Sequence, residues 1–348
     1  MSLDLYSGLS GDGTFMEMKS KRALTANELF DGLRKKDRVA LARAITLVES
    51  QHPDDHAAAA ALITLCLPYT GTAIRIGISG APGAGKSTFI EAYGQQLTAA
   101  GKHIAVLAID PSSGLNKGSI LGDKTRMEVL ARDPLAFIRP SSAGTTLGGV
   151  ARKTRETILL CEAAGYDYIL IETVGVGQSE TAVQAMTDLF LLLLIPGAGD
   201  ELQGIKRGIV EMADMILVNK ADGDQKILAE EARQHYEQAI HLYPSRRSGQ
   251  PVPVRLISSI EKTGLAEVRQ DIDKYLAAII ASGYLTQRRS EQAAYWLRES
   301  LMDQLASWVF TRYKSDYETL EREVLDGKTS PFLAADALMS RITGKDHQ

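Results

Sequence analysis

The residues with the most recognisable chemistry are Gly80-Ala81-Pro82-Gly83-Ala84-Gly85-Lys86-Ser87, which match the phosphate-cradling pattern G-x-x-x-x-G-K-[ST], with Thr88 directly behind. Glycines let the backbone wrap closely around a phosphate chain, so that successive N–H groups and a helix N-terminus face the negative charge. Lys86 is then expected to reach the β- and γ-phosphates. Ser87 is expected to offer its hydroxyl to Mg²⁺, a hard cation that prefers oxygen ligands.

Three acidic residues stand where a metal and a hydrolytic water would need them. Asp110 follows an apolar run in Ile109-Asp110-Pro111-Ser112-Ser113, and Asp123 lies in Gly122-Asp123-Lys124-Thr125-Arg126. Carboxylates in such a loop can hold Mg²⁺ directly or through its waters, although a lone aspartate at a strand end serves equally well as a helix cap. Glu172 opens Glu172-Thr173-Val174-Gly175-Val176-Gly177-Gln178-Ser179-Glu180, an acid followed by a glycine whose N–H can meet a γ-phosphate. Gln178 could position water or be an ordinary polar loop residue.

Asn219-Lys220-Ala221-Asp222 reads the base. An aspartate accepts from the N1–H and exocyclic amine of guanine, neither of which adenine offers, so adenine would leave a buried carboxylate unpaired. Asn219 can brace the pocket and the stem of Lys220 can lie along the base. Ser258-Ser259 can complete the pocket through backbone groups. These features point to GTP and GDP with Mg²⁺.

Strand-like apolar runs place these motifs: 74–78, 104–109, 136–138, 168–171, 189–195, 215–218 and 254–257. They alternate with helical stretches, which predicts an α/β, mostly parallel sheet with ligands at the carboxyl ends of its strands. Every motif above follows such a run. From Thr25 to Leu67 the pattern is helical, with Asp37 as a candidate N-cap; His52 and His56 have metal-compatible spacing but no third ligand, and read as surface histidines. After Gly283 the chain is helical again, and Leu297, Leu301, Leu305 and Trp308 share one apolar face, suited either to docking on its own domain or to a subunit interface.

The chain has 348 residues, 45% of them hydrophobic and 24% charged, and a formal net charge of -4. That length can bury a large core, and the mild acidity argues against general binding to nucleic acid or an anionic membrane. Only Cys66 and Cys161 occur, so no disulfide framework is expected and a reducing cytoplasm fits. The longest apolar run, 189–195, is too short to span a bilayer, and residues 1–22 lack the character of a secretory or transit signal.

Gly80 to Ser87, 110–113, 118–127, 172–180 and Gly199-Asp200-Glu201-Leu202-Gln203-Gly204-Ile205-Lys206 together closely resemble the MeaB-type GTPases, from about residue 30 to the C-terminal helices. These are chaperones of adenosylcobalamin-dependent acyl-CoA mutases and counterparts of the human methylmalonic aciduria type A protein. The resemblance implies a P-loop NTPase of the SIMIBI class with helical extensions on both sides, acting as a slow, homodimeric GTPase. It implies that the nucleotide state gates adenosylcobalamin delivery from an adenosyltransferase to methylmalonyl-CoA mutase or a relative, and helps eject damaged cofactor. It implies a metal shell of Ser87, Asp110, Asp123 and Glu172, catalytic roles for Lys86, Asp110 and Glu172, and a third switch at 197–206 whose Gln203 and Lys206 couple partner binding to hydrolysis. The expected divisions are a loose extension at 1–22, helical residues 23–70, a GTPase domain at 71–282 and a helical dimerisation segment at 283–348. Residues 114–117 vary within the first switch, and 1–22 lie outside the family core. The competing expectation is an ATP-dependent kinase or transport-coupled ATPase for basic amino acids, which Asn219 and Asp222 oppose.

Overall fold

The structure is a computed structural model that describes residues 24–50, 52–109, 127–139, 147–173, 179–197 and 207–344. Its first helices are α1 (Ala26–Arg34), α2 (Arg38–Glu49) and α3 (Pro53–Cys66). Thr25 and Glu28 form a reciprocal capping box on α1, and Asp37 caps α2 by accepting from Val39 N–H at 2.7 Å, as its position before an apolar run suggested. His52 caps α3.

There follow β1 (Ile74–Gly80), α4 (Lys86–Ala99), β2 (Ile104–Ile109), α5 (Glu128–Arg132), β3 (Ala136–Arg139), α6 (Leu147–Ala163), β4 (Tyr168–Thr173), α7 (Ser179–Gln184), β5 (Leu189–Leu194), α8 (Arg207–Met212), β6 (Met215–Val218), α9 (Lys226–Ile240), β7 (Val254–Leu256) and α10 (Leu265–Ala281). Three helices end the chain: α11 (Tyr284–Arg312), α12 (Lys314–Leu325) and α13 (Pro331–Thr343). All seven expected strands form. The first runs two residues further than the apolar alternation indicated, into the phosphate loop itself.

The seven strands make one parallel sheet in the order β3-β2-β4-β1-β5-β6-β7. β1 pairs with β4 on one side (Ile74 opposite Tyr168) and β5 on the other (Ile76 opposite Leu189). Helices cover both faces, so successive residues of one strand enter different cores. Phe190, Leu192 and Leu194 of β5 pack with α1–α3 and α6, whereas Leu189, Leu191 and Leu193 pack with Phe89 and Tyr93 of α4 and Ile272 of α10. The all-apolar stretch is thus what a doubly covered strand requires.

Below the amino ends of these strands, charged groups are buried rather than excluded. Arg75 of β1 is 3% exposed and Glu162 of α6 is 1% exposed; they meet at 2.8 Å, and Glu162 also accepts from the Gly71 N–H at 2.9 Å. Asp188 accepts from the Arg75 N–H at 2.9 Å and from Arg289 of α11 at 2.6 and 2.8 Å. Asp214 accepts from the Phe190 N–H (2.9 Å), the Tyr275 hydroxyl (3.0 Å) and Arg288 (3.2 Å). Burial among these cations pushes the neighbouring Arg155 down to about 10. The result ties α11 to the base of the central strands. Further on, α11 presents Leu297, Leu301, Leu305 and Trp308 as an exposed row, 73, 54, 47 and 49% accessible, so this face does not dock on the described part of its own chain. None of the described helices is long and apolar enough to cross a membrane.

Candidate active site

Gly80 to Ser87 turn from the carboxyl end of β1 into α4, beside the point where the strand order reverses. Two of the glycines are demanded sterically. Gly80 has φ 153°, and a Cβ there would fall 2.3 Å from the Leu193 carbonyl oxygen; Gly85 caps α4 with φ 83°, and a Cβ there would fall 2.5 Å from Asn219 Nδ2. Replacing Gly85 by alanine is therefore expected to cost about 1–3 kcal/mol in backbone strain and to weaken GTP binding by at least about tenfold. Chemical denaturation and nucleotide titration would measure the two effects separately.

Lys86 is 8% exposed, and its ammonium donates to the Gly80 and Ala81 carbonyls at 2.7 and 3.2 Å. The amine is thereby held over the loop's own backbone. Ser87 Oγ donates to Glu172 Oε1 at 3.1 Å, joining the start of α4 to the end of β4, and Thr173 Oγ1 donates to Ser79 Oγ at 3.0 Å just beneath. A hydroxyl and a carboxylate in contact, next to a glycine cradle and a cationic side chain, fit Mg²⁺ and a polyphosphate by donor type. Thr88 lies in the first turn of α4, and Pro82, Gly83 and Ala84 form the crown of the loop.

The base-reading motif follows β6. Asn219 is 2% exposed; its Nδ2 donates to the Ala84 carbonyl at 2.8 Å, and its Oδ1 accepts from the N–H and hydroxyl of Ser259 at 3.1 and 2.9 Å. One amide side chain thus links the phosphate loop to the loop after β7. The Ser258 hydroxyl donates to Asp222 Oδ2 and accepts from the Glu261 N–H at 3.0 Å, which fixes the carboxylate. Lys220 is exposed and adopts φ 62°. The expected roles of Ser258 and Ser259 were through backbone; here both hydroxyls take part.

Asp110, Asp123, Gln178, Gln203 and Lys206 lie outside the described residues. The structure thus brings together Gly80–Thr88, Glu172, Asn219, Lys220, Asp222 and Ser258. Glu91 of α4 carries a function that the sequence did not signal: its Oε1 accepts from the Val129 and Leu130 N–H groups at 2.9 and 3.2 Å and so caps α5, which starts shortly after residues 110–126 in the chain. A glutamate in a helix has no local pattern that could reveal such a long-range cap.

A family model described as "Methylmalonyl Co-A mutase-associated GTPase MeaB" matches residues 41–314. A "Putative GTPase" of Caulobacter vibrioides is 49% identical over 320 residues, covering 91% of this chain and 98% of that protein. The mitochondrial "Methylmalonic aciduria type A homolog" of Mus musculus is 44% identical over 343 residues, covering 94% of this chain and 82% of that protein. Among solved structures, that of a "LAO/AO transport system kinase" aligns with TM-score 0.72 and 38% identity, covering 91% of this chain and 97% of that one. With a parallel sheet, a glycine loop entering α4 and a guanine-type motif after β6, the chain belongs to the MeaB family of P-loop GTPases.

Proposed function

We propose that this GTPase is a nucleotide-gated chaperone of an adenosylcobalamin-dependent acyl-CoA mutase, either methylmalonyl-CoA mutase or a close relative. Its output would be control of adenosylcobalamin loading from an adenosyltransferase, and release of damaged cofactor. The family description supports the partner, and the contact between Ser87 and Glu172 supports the gating. Glu172 and Thr173 directly precede residues 174–178 in the chain, so a change in what Ser87 holds would act on Glu172 immediately before them.

In this reading Lys86 leaves the Gly80 and Ala81 carbonyls for the β- and γ-phosphates, and the loop N–H groups stabilise charge on the transferred phosphoryl group as water attacks and GDP departs. Ser87, Glu172, Asp110 and Asp123 would hold Mg²⁺, which when bound neutralises phosphate charge. Asp222, held by Ser258, accepts from guanine; Asn219 fixes the distance between base pocket and phosphate loop; and the stem of Lys220 lies on the base. Gln203 and Lys206 would carry the effect of the mutase to the reacting phosphate. Hydrolysis is slow without the partner, because phosphoryl transfer depends chiefly on positioning.

The test is single-turnover GTP hydrolysis with and without mutase, paired with co-purification in GTP and in GDP. Acceleration of about fivefold or more, with association that depends on the nucleotide, is expected for a coupled pair. Equal rates and nucleotide-blind association would end the proposal. Transfer of labelled γ-phosphate to a protein acceptor would instead favour a kinase, the activity by which the solved relative is called.

We assign residues 23–70, 71–282 and 283–348 to a helical prefix, the GTPase domain and a dimerisation segment. The support for a homodimer is the exposed row Leu297, Leu301, Leu305 and Trp308 on α11. Leu301→Asp combined with Leu305→Asp is expected to convert a dimer to a monomer in sedimentation, with GTP affinity changed by less than about twofold, since neither side chain touches the nucleotide loops.

A further inference from the structure

Near the carboxyl end of the sheet, four residues stand in one row across neighbouring strands: Ile109 of β2, Thr173 of β4, Ser79 of β1 and Leu192 of β5. Ile109 and Leu192, the outer members, belong to the apolar core shared with α1–α3 and α6. The inner members are hydroxyls, both 0% exposed, and Thr173 Oγ1 donates to Ser79 Oγ at 3.0 Å. A neutral hydroxyl pair adds little stability in such surroundings, because two apolar groups of the same shape would serve the core as well or better.

The place of the pair fits alignment instead. The β1–β5 ladder runs on to Gly80 opposite Leu193, and the β2–β4 ladder to Ile109 opposite Thr173, but the ladder between β1 and β4 stops at Ile78 opposite Glu172. At the next step the two hydroxyls meet. Their contact is the last tie within the sheet between the strand that enters the phosphate loop and the strand that carries Glu172. Each member is also next in the chain to a residue of the candidate site: Ser79 precedes Gly80, Thr173 follows Glu172, and Ile109, opposite Thr173, precedes Asp110. Strand alternation turns Glu172 to the other face of the sheet, where it accepts from Ser87 at 3.1 Å. A small shift of β4 against β1 would therefore alter the geometry of Glu172 and Ser87 while leaving every residue of the site in place.

We propose that Thr173 is a positioning residue for GTP hydrolysis: through Ser79 it fixes the end of β4 against the root of the phosphate loop, and so sets Glu172 relative to Ser87. The proposal rests on the assignment of Ser87 and Glu172 to the phosphate and metal site. Thr173 itself takes no part in the reaction, and removing its hydroxyl costs alignment, for which about tenfold is a usual scale.

The decisive variant combines Ser79→Ala with Thr173→Val, which keeps the shape of the pair and strands neither partner. Its melting temperature is expected within about 2 °C of the parent or above it, and its GTP dissociation constant at saturating Mg²⁺ within about twofold. Single-turnover hydrolysis should nevertheless fall about tenfold or more, and the Mg²⁺ concentration that half-slows release of a fluorescent GDP analogue should rise about threefold or more. Thr173→Val alone should hydrolyse GTP as slowly as the double variant, since both remove one contact, whereas Thr173→Ser, which keeps the hydroxyl, should recover most of the rate. Should the double variant fail to fold, Ser79→Ala removes the same contact and carries the same expectations for rate and Mg²⁺. Parental rate and Mg²⁺ dependence in a folded variant without the contact, or a loss confined to GTP affinity, would overturn the proposal. Glu172→Gln tests the assignment beneath it. Parental hydrolysis in that variant would remove Glu172 from the site and the proposal with it, whereas a slow Glu172→Gln beside an unimpaired double variant would overturn the positioning role alone.

Discussion

Asp222→Asn is expected to weaken GTP binding by about a hundredfold or more while xanthosine triphosphate gains, because the variant faces guanine's N1–H and amine with a donor where the carboxylate accepted both. Xanthine carries a carbonyl in place of that amine, so the asparagine N–H finds an acceptor. Ser258 makes the exchange clean: its hydroxyl donates to Asp222 Oδ2 and can donate equally to an asparagine oxygen, keeping the side chain in place. Displacement of a fluorescent nucleotide by each triphosphate would read the inversion. If GTP remained preferred by the same factor, Asp222 would not be the base reader and the assignment of this pocket to guanine would fall.

The second large effect concerns stability. Glu162→Gln leaves the Arg75 guanidinium, 3% exposed, without the charge it meets at 2.8 Å, and leaves Arg155 and Arg289 with Asp188 as their neighbouring carboxylate. Removing one member of a buried pair costs about 3–5 kcal/mol, which should lower the melting temperature by roughly 5–10 °C. Pairing it with Arg75→Met should return much of the loss, since two apolar replacements leave no buried charge stranded. GTP affinity in the still-folded single variant should hardly change, as the pair lies at the amino ends of the strands. A melting temperature within a degree or two of the parent would mean that water or another carboxylate already screens Arg75.

The parts of this fold that were legible in the sequence are those with a local cause. Leu189 to Leu194 reads as a strand because helices cover both faces and no polar alternation interrupts it. The phosphate loop and Asn219 to Asp222 are legible because steric and hydrogen-bond demands fall on consecutive residues. Asp37 is legible as a cap because it precedes an apolar helix. Arg75 and Glu162 stand 87 positions apart, and neither belongs to a pattern that could announce the other. The cap made by Glu91 and the contacts of the Ser258 and Ser259 hydroxyls were hidden for the same reason. The apolar row on α11 was visible, but whether its own chain covers it depends on where α11 departs from the domain, which Arg288 decides through the Asp214 carboxylate and Arg289, Gln292 and Trp296 through distant backbone carbonyls.

The central position of β1 has a consequence for how the molecule is made. Its two neighbours, β4 and β5, begin at Tyr168 and Leu189, roughly a hundred residues after β1 itself. At a synthesis rate of about 5–20 residues per second, β1 and its glycine loop leave the ribosome roughly ten seconds before either partner exists. Until then an apolar segment whose two edges are both open can be sheltered only by elements that do not pair with it, the helices α1–α6. Parallel pairing over such separations is intrinsically slow, so the phosphate-binding strand is the part of the nascent chain most dependent on assistance during synthesis.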